Sequence, residues 1–133
     1  MTTREEVWVS ELPDPISHYT HGVKFGDLVF VSGCTGTGAN HEVIGDDDVA
    51  AQTRQALTNM SKILAAAGAT FADVCKVTVY LTDVDDRTGI NPVRQEYFGR
   101  SRPASTLIEV SRLAIPGMKV EIEAVAGFGD EPG

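Results

Sequence analysis

Cysteine is nearly absent from this chain: Cys34 and Cys75 are the only two in 133 residues, and they form neither a CxxC pair nor a Cys/His spacing that would hold zinc. That count excludes a disulfide framework and fits a reducing compartment. Cations are also scarce. Eleven Lys and Arg stand against nineteen Asp and Glu, a formal charge of −8 with a pI near 4.7, whereas the phosphates of nucleic acid demand clustered cations. Aromatic residues make up only 7%, too few for the basic, stacking surface that single strands require. No run of about 18 apolar residues exists to cross a bilayer, and Met1–Ser10 (MTTREEVWVS) lacks the apolar centre of a signal peptide. The expectation is a cytoplasmic protein with no nucleic-acid and no membrane partner. No G-x-S-x-G elbow exposes a serine either, so Ser17 with His18 or His21 and an aspartate makes no hydrolase triad.

What is present is a 42% apolar, 23% charged chain with a mean hydropathy of −0.06, the profile of one water-soluble globular domain over residues 1–133, with 1–10 and 128–133 peripheral. Leu28–Ser32 (LVFVS), after the Gly26-Asp27 turn signal, reads as a buried strand with Gly22–Phe25 as its hairpin partner. The glycines at 33, 36 and 38 read as a mobile turn, because a phosphate cradle would run straight into a helix. Apolar recurrence over Val49–Ala67, with Gln52, Ala56, Met60, Ile63 and Leu64 on one stripe, predicts a helix capped by Asp46-Asp47-Asp48 and stopped by Gly68. The acid triplet complements the helix dipole and is not read as a metal site.

Val74–Thr82 alternates Cys75, Val77, Val79 and Leu81 against Lys76, Thr78, Tyr80 and Thr82, which predicts a two-faced strand with Cys75 in the core. Ile90, Val93, Tyr97 and Phe98 mark a second helix ending at Gly99, in whose first turn Pro92 belongs. Ser105–Val110 and Lys119–Ala126 are two further strands around an Ala114-Ile115-Pro116-Gly117 turn, and the Gly129–Gly133 tail is expected to fray. The result is an α+β chain in which two helices bury one face of a sheet. The other face mixes Val125 with Glu121 and Glu123, and self-association is the physical remedy for it.

Val29–Gly33 (VFVSG), Val74–Asp83, Asn91–Phe98, Arg102–Leu113 (RPASTLIEVSRL) and Lys119–Ala126 (KVEIEAVA), in this order, resemble the reactive intermediate deaminase (YjgF/UK114) family from about Tyr19 to Ala126. The resemblance implies a chorismate-mutase-like fold: a mixed six-stranded sheet with two helices on one face, three sheets packed as a homotrimeric barrel, and clefts between subunits. It also implies hydrolysis of reactive enamines or imines to a ketone or keto acid plus ammonia, with no metal and no organic cofactor. Position by position, Tyr19 is similar to the family's pocket tyrosine, Ser32 and Gly33 to its strand-end contacts, Asn91 to its polar helix residue and Glu121 to its water-orienting carboxylate. Bland alternatives stand beside these: interface packing for Tyr19, an N-cap before Pro92 for Asn91, an exposed strand acid for Glu121.

The chain departs from the family at Ser105, where deaminating members carry an arginine that grips the substrate carboxylate, and at Leu107, where a cysteine is common. A lost hydrogen bond to a charged group is worth about 1.5–3 kcal/mol, so a small 2-imino acid is expected to bind more weakly unless Arg100 or Arg102, just upstream, reaches the cleft. Imine hydrolysis needs held water, a proton source and a selective pocket. Glu121 is the candidate for the water, with a pKa raised by desolvation against Leu107 and a subunit interface. Ser105, Leu107 and Glu109 share one strand face, and Glu109 is the second candidate carboxylate. Cys34 reads as packing with an ordinary thiol pKa of about 8.5, His41 as solvent-facing, and His18 and His21 as cleft-rim or surface residues. A non-catalytic trimeric module that binds or regulates through a small metabolite is the alternative. Ribonuclease activity, a name attached to this family, conflicts with the charge of −8.

Overall fold

Strict alternation in Val74–Leu81 and Val120–Gly127 builds the two strands around which the rest is arranged. The structure, a computed structural model, describes residues 3–129. In chain order it contains β1 (Arg4–Val7), β2 (Gly22–Phe25), β3 (Leu28–Thr35), α1 (Val49–Ala66), β4 (Val74–Leu81), α2 (Arg87–Phe98), β5 (Ala104–Glu109) and β6 (Val120–Gly127), with single 3-10 turns at Phe71–Asp73 and Val84–Asp86. The six strands form one mixed sheet in the order β1-β2-β3-β6-β4-β5. Only β4 and β5 run parallel, and α2 is the crossover between them, since parallel neighbours cannot be joined by a tight turn.

Both helices lie on one face. Val29 and Val31 of β3, Val77, Val79 and Leu81 of β4, and Val120, Ile122, Ala124 and Ala126 of β6 are buried there with Leu57, Met60 and Leu64 of α1 and Ile90, Val93 and Phe98 of α2. The opposite face presents Phe25, Leu28, Phe30 and Ile108, each 41–47% exposed, beside Tyr80, Glu121 and Glu123. The mixed face expected from Val125, Glu121 and Glu123 is therefore present.

Helix α1 starts where Asp48 Oδ1 accepts the amides of Ala50 and Ala51 at 3.0 and 3.1 Å, and it stops before Gly68, whose φ of 84° is left-handed. Helix α2 begins earlier than the sequence suggests. It continues from the Val84–Asp86 turn at Arg87, so Pro92 stands in the second turn and Asn91 is inside the helix, not its N-cap. Pro92 has no N–H for the Thr88 carbonyl, Gly89 is a weak helix former, and Asp86 makes no side-chain cap.

Three further expectations change. Nothing in the charged Arg4-Glu5-Glu6 run marks a strand, yet β1 pairs with β2 and sends Val7 into the core. The glycine-rich segment is not a turn throughout, because β3 extends through Gly33 and Cys34 to Thr35 with a register shift after Val31. Cys75 is exposed, since the β4–β6 register also shifts between Val74 and Lys76 and ejects it from the alternation. The expected fraying at Gly129–Gly133 falls mainly on residues 130–133, outside the described range.

Gln52, in the apolar stripe of α1, is fully buried as a staple. Its Nε2 donates to the carbonyls of Asp46 (2.6 Å) and Gly117 (2.9 Å), and its Oε1 accepts the Lys119 amide (2.8 Å). The start of α1 is thereby tied to the loop that enters β6. Gln52→Leu keeps the volume but orphans these backbone groups, and a loss of about 2–4 kcal/mol is expected in urea unfolding; a change below about 0.5 kcal/mol would show that the staple is dispensable.

Candidate active site

The sheet register brings an acid onto a bare backbone. Glu121 pairs with Thr35 of β3 on one side and Tyr80 of β4 on the other, so its side chain leaves the sheet on the face away from the helices. Beside it the β3 register breaks, and the carboxylate lies over Gly33 so closely that a Cβ there would collide with it. Glycine at 33 thus leaves the carboxylate its room, and a side chain there would push Glu121 aside. Ser32, next to it, donates its amide to the His21 carbonyl at 3.0 Å and its hydroxyl to the Thr20 carbonyl at 2.6 Å, which ties β3 to the segment carrying Tyr19.

These groups line a cleft of about 380 Å³ whose walls include Tyr19, His21, Ser32, Gly33, Thr35 and Glu121. Burial, and secondarily the charge of Glu123, push the Glu121 carboxyl above its ordinary range. Glu123 is itself engaged, accepting from Tyr80 Oη at 2.6 Å, and that bond pushes the phenol up. His21 is buried and structural: Nδ1 accepts the Val9 amide at 3.0 Å, and Nε2–H donates to the Pro13 carbonyl at 3.0 Å. The His21 ring holds the N-terminal segment against the cleft, which it lines, so its surface reading is excluded by burial.

Cys34 does not keep an ordinary thiol. Burial, helped by the Glu121 charge, pushes it up to about 12, so it packs and does not attack. Among the described residues no group of three or more His, Cys, Asp or Glu side chains could hold a metal.

Four of the sequence-derived residues, Tyr19, Ser32, Gly33 and Glu121, come together in this cleft. The others lie elsewhere on the subunit. Ser105, Leu107 and Glu109 pair with Val77, Val79 and Leu81 of β4, so they share the helix side of the sheet while Glu121 leaves by the other. The expected packing of Glu121 against Leu107 is therefore absent within one subunit. Glu109 Oε1 accepts the Val84 amide at 3.0 Å and serves the turn before α2, and Leu107 packs against the core. Asn91 lines a separate hollow with Arg94 and Arg102, and Arg94 Nη2 donates to Ser105 Oγ at 3.0 Å. Thr35, Thr37, Ile115 and Met118 also line the Glu121 cleft. No local signal marks them: the β3–β6 register places Thr35, and loop closure places the other three.

A family model described as Endoribonuclease L-PSP matches residues 9–128. The chain belongs to this family. Within it, the chain is 42% identical over 123 residues to a RutC family protein of Pyrococcus horikoshii, covering 92% of this chain and 97% of that one. It is 34% identical over 123 residues to the human 2-iminobutanoate/2-iminopropanoate deaminase, covering 92% and 89%. Among solved structures, Escherichia coli TdcF with bound serine superposes with a TM-score of 0.86 at 32% identity, covering 94% of this chain and 99% of that one. A Mycobacterium tuberculosis member of the YjgF/YER057c/UK114 family gives 0.81 at 38%, covering 95% and 100%. The family resemblance and the sheet architecture read from the sequence hold.

Two outcomes follow from the titration environment. A carboxyl raised by burial costs stability once it ionises: the cost is absent at low pH, grows as pH climbs past the unfolded Glu value of about 4.3, and is complete above the folded pKa. Glu121→Gln is expected to raise Tm at pH 7 and to lose that advantage near pH 4 in thermal melts; an unchanged or lowered Tm at pH 7 contradicts the desolvation. Iodoacetamide at pH 8 is expected to leave Cys34 unmodified in the native protein and to label it after denaturation, read by peptide mass.

Proposed function

We propose that this protein hydrolyses reactive imines or enamines and releases ammonia. The observation that carries the reading is the half-buried Glu121 carboxylate seated over Gly33 in a cleft with Tyr19 and Ser32. Support comes from relatives named 2-iminobutanoate/2-iminopropanoate deaminase at 34–36% identity across nearly the whole chain.

The chemistry closes with water alone. Glu121 accepts a hydrogen bond from water and takes its proton as the oxygen attacks the C=N carbon; the nitrogen is protonated and a carbinolamine forms. Collapse of that intermediate re-forms a C=O bond, breaks the C–N bond and expels ammonia, with the hydroxyl proton carried to nitrogen. A carboxylate whose pKa is raised serves both transfers better than an ordinary glutamate. Tyr19 lines the cleft with an exposed ring, and the short, neutral Ser105 makes no ionic contact with a substrate carboxylate. Substrate preference therefore differs from members with arginine there, unless a cation arrives from another element.

The open sheet face supports assembly as a homotrimer. Phe25, Leu28, Phe30 and Ile108 form apolar surface of a kind that a partner covers. Against the ribonuclease activity in the family model's description stands the charge of −8, which repels a phosphate backbone.

The test generates an imine with a pyridoxal-phosphate dehydratase and follows ammonia release, with the solution mass measured on the same sample. Expected are release faster than buffer, a loss of about a hundredfold or more in Glu121→Gln, and a mass of three chains. Release at the buffer rate would overturn the hydrolase reading; if a metabolite then raised Tm without being consumed, the binding-module alternative would replace it.

A further inference from the structure

The hydrolysis proposed above needs a proton for the imine nitrogen, and no group in the Glu121 cleft has yet been assigned to give one. The candidates are few. Besides Glu121, the titratable side chains of the cleft among the described residues are Asp14, Tyr19, His21, Cys34 and His41. Asp14 is a second carboxylate, an acceptor like the first. Both nitrogens of the His21 ring are engaged with backbone, and the buried Cys34 thiol donates to the Ser32 carbonyl at 3.4 Å. Tyr19 is exposed, and a phenol yields its proton far less readily than an imidazolium. That leaves His41, and imidazole is the side chain suited to give and regain a proton near neutrality.

The backbone holds His41 in an unfavourable conformation. Its φ is 65°, in the left-handed region that a residue with a Cβ avoids. The turn around it is fixed by its own hydrogen bonds: Thr37 bridges Val43, the Gly38 amide donates to the Glu42 carbonyl at 2.9 Å, and the His41 amide donates to the Gly38 carbonyl at 3.1 Å. Buried Asn59 of α1 pins the base, its Nδ2 donating to the Thr35 and Thr37 carbonyls at 3.0 Å each. Thr35 is the register partner of Glu121, so one stretch of backbone carries the cleft wall from the acid to the imidazole. Expected to face solvent, His41 instead lines the cleft, partly buried, and among the described residues its ring makes no hydrogen bond. A strained, firmly held side chain whose ring nitrogens are free for a ligand fits a functional role better than a turn role.

We infer that His41 is the proton donor to the imine nitrogen, working with Glu121 in the same cleft. As water attacks, its proton goes to Glu121, the C–O bond forms, and the C=N π pair moves to nitrogen, which takes a proton from the His41 imidazolium. The carbinolamine then lies between a protonated acid and a neutral imidazole. Glu121 gives its proton to the amine, His41 takes the hydroxyl proton as the C=O bond forms, and the C–N bond breaks with ammonia leaving. Both groups end as they began. The inference rests on the imine-hydrolysis reading and supplies its acid.

The test measures kcat, KM and Tm for wild type, His41→Ala and His41→Gly with dehydratase-generated imine, in the presence and absence of added imidazole. Pyrazole, equal in size but too weak a base to carry the proton, is the control, and every rate is taken over a blank without this protein. Expected is a fall in kcat of about a hundredfold or more in both variants, with KM within about threefold of wild type. Imidazole should recover about tenfold of that loss, and pyrazole none of it. His41→Gly should keep or raise Tm, since glycine adopts a φ of 65° without penalty, so its lost rate is no folding artefact. A kcat for His41→Gly within about threefold of wild type, or a loss that imidazole leaves unrepaired, would overturn the inference and leave the hydrolase reading standing. Ammonia release by wild type at the blank rate would remove both.

Discussion

β6 enters the sheet between β3 and β4, antiparallel to both, and this placement gives its alternate side chains two unlike surroundings. Val120, Ile122, Ala124 and Ala126 go under the helices and supply core; Glu121 and Glu123 go the other way. Because strand period is two, no one-residue slip is tolerated: it would bury both glutamates beneath α1. The same register that secures the hydrophobic layer therefore delivers Glu121 to the break in β3, where a glycine leaves room for it. Core packing and site geometry are set by one pairing.

That arrangement separates the chemistry of the subunit. The acid lies beside β3 on the open face, whereas Arg94 lies at the far edge, where α2 meets β5. The trimer proposed above would give these two hollows a way to meet across a subunit boundary. It would also cover apolar side chains on the sheet that water now touches.

The strands and helices were legible wherever period governs. Val74–Leu81, Val120–Gly127 and the α1 stripe follow the alternation or the helical spacing of their side chains. What escaped was set by partners. β1 is a strand because β2 offers an edge, not because Arg4-Glu5-Glu6 favours one. Cys75 left the core, and Gly33 joined a strand, through bulges that no period announces. Of the site, Tyr19, Ser32, Gly33 and Glu121 were picked out by resemblance and converge in one cleft. The Arg94–Ser105 contact was not legible, because only the fold sets an α2 side chain against position 105, eleven residues away.

Helix α2 is the weak member of the helical layer. It is 12 residues long against 18 for α1, contains Gly89 and Pro92, and lacks the side-chain cap that Asp48 gives its longer neighbour. Its order is owed to Ile90, Val93 and Phe98 seated on the sheet. Helix α2 is thus the segment whose amides should exchange with solvent ahead of those of α1, through local openings that leave the central strands intact. Each opening would carry Asn91 and Arg94 away from the start of β5 together, so the lifetime of the folded segment also bounds how long the Arg94–Ser105 hydrogen bond persists.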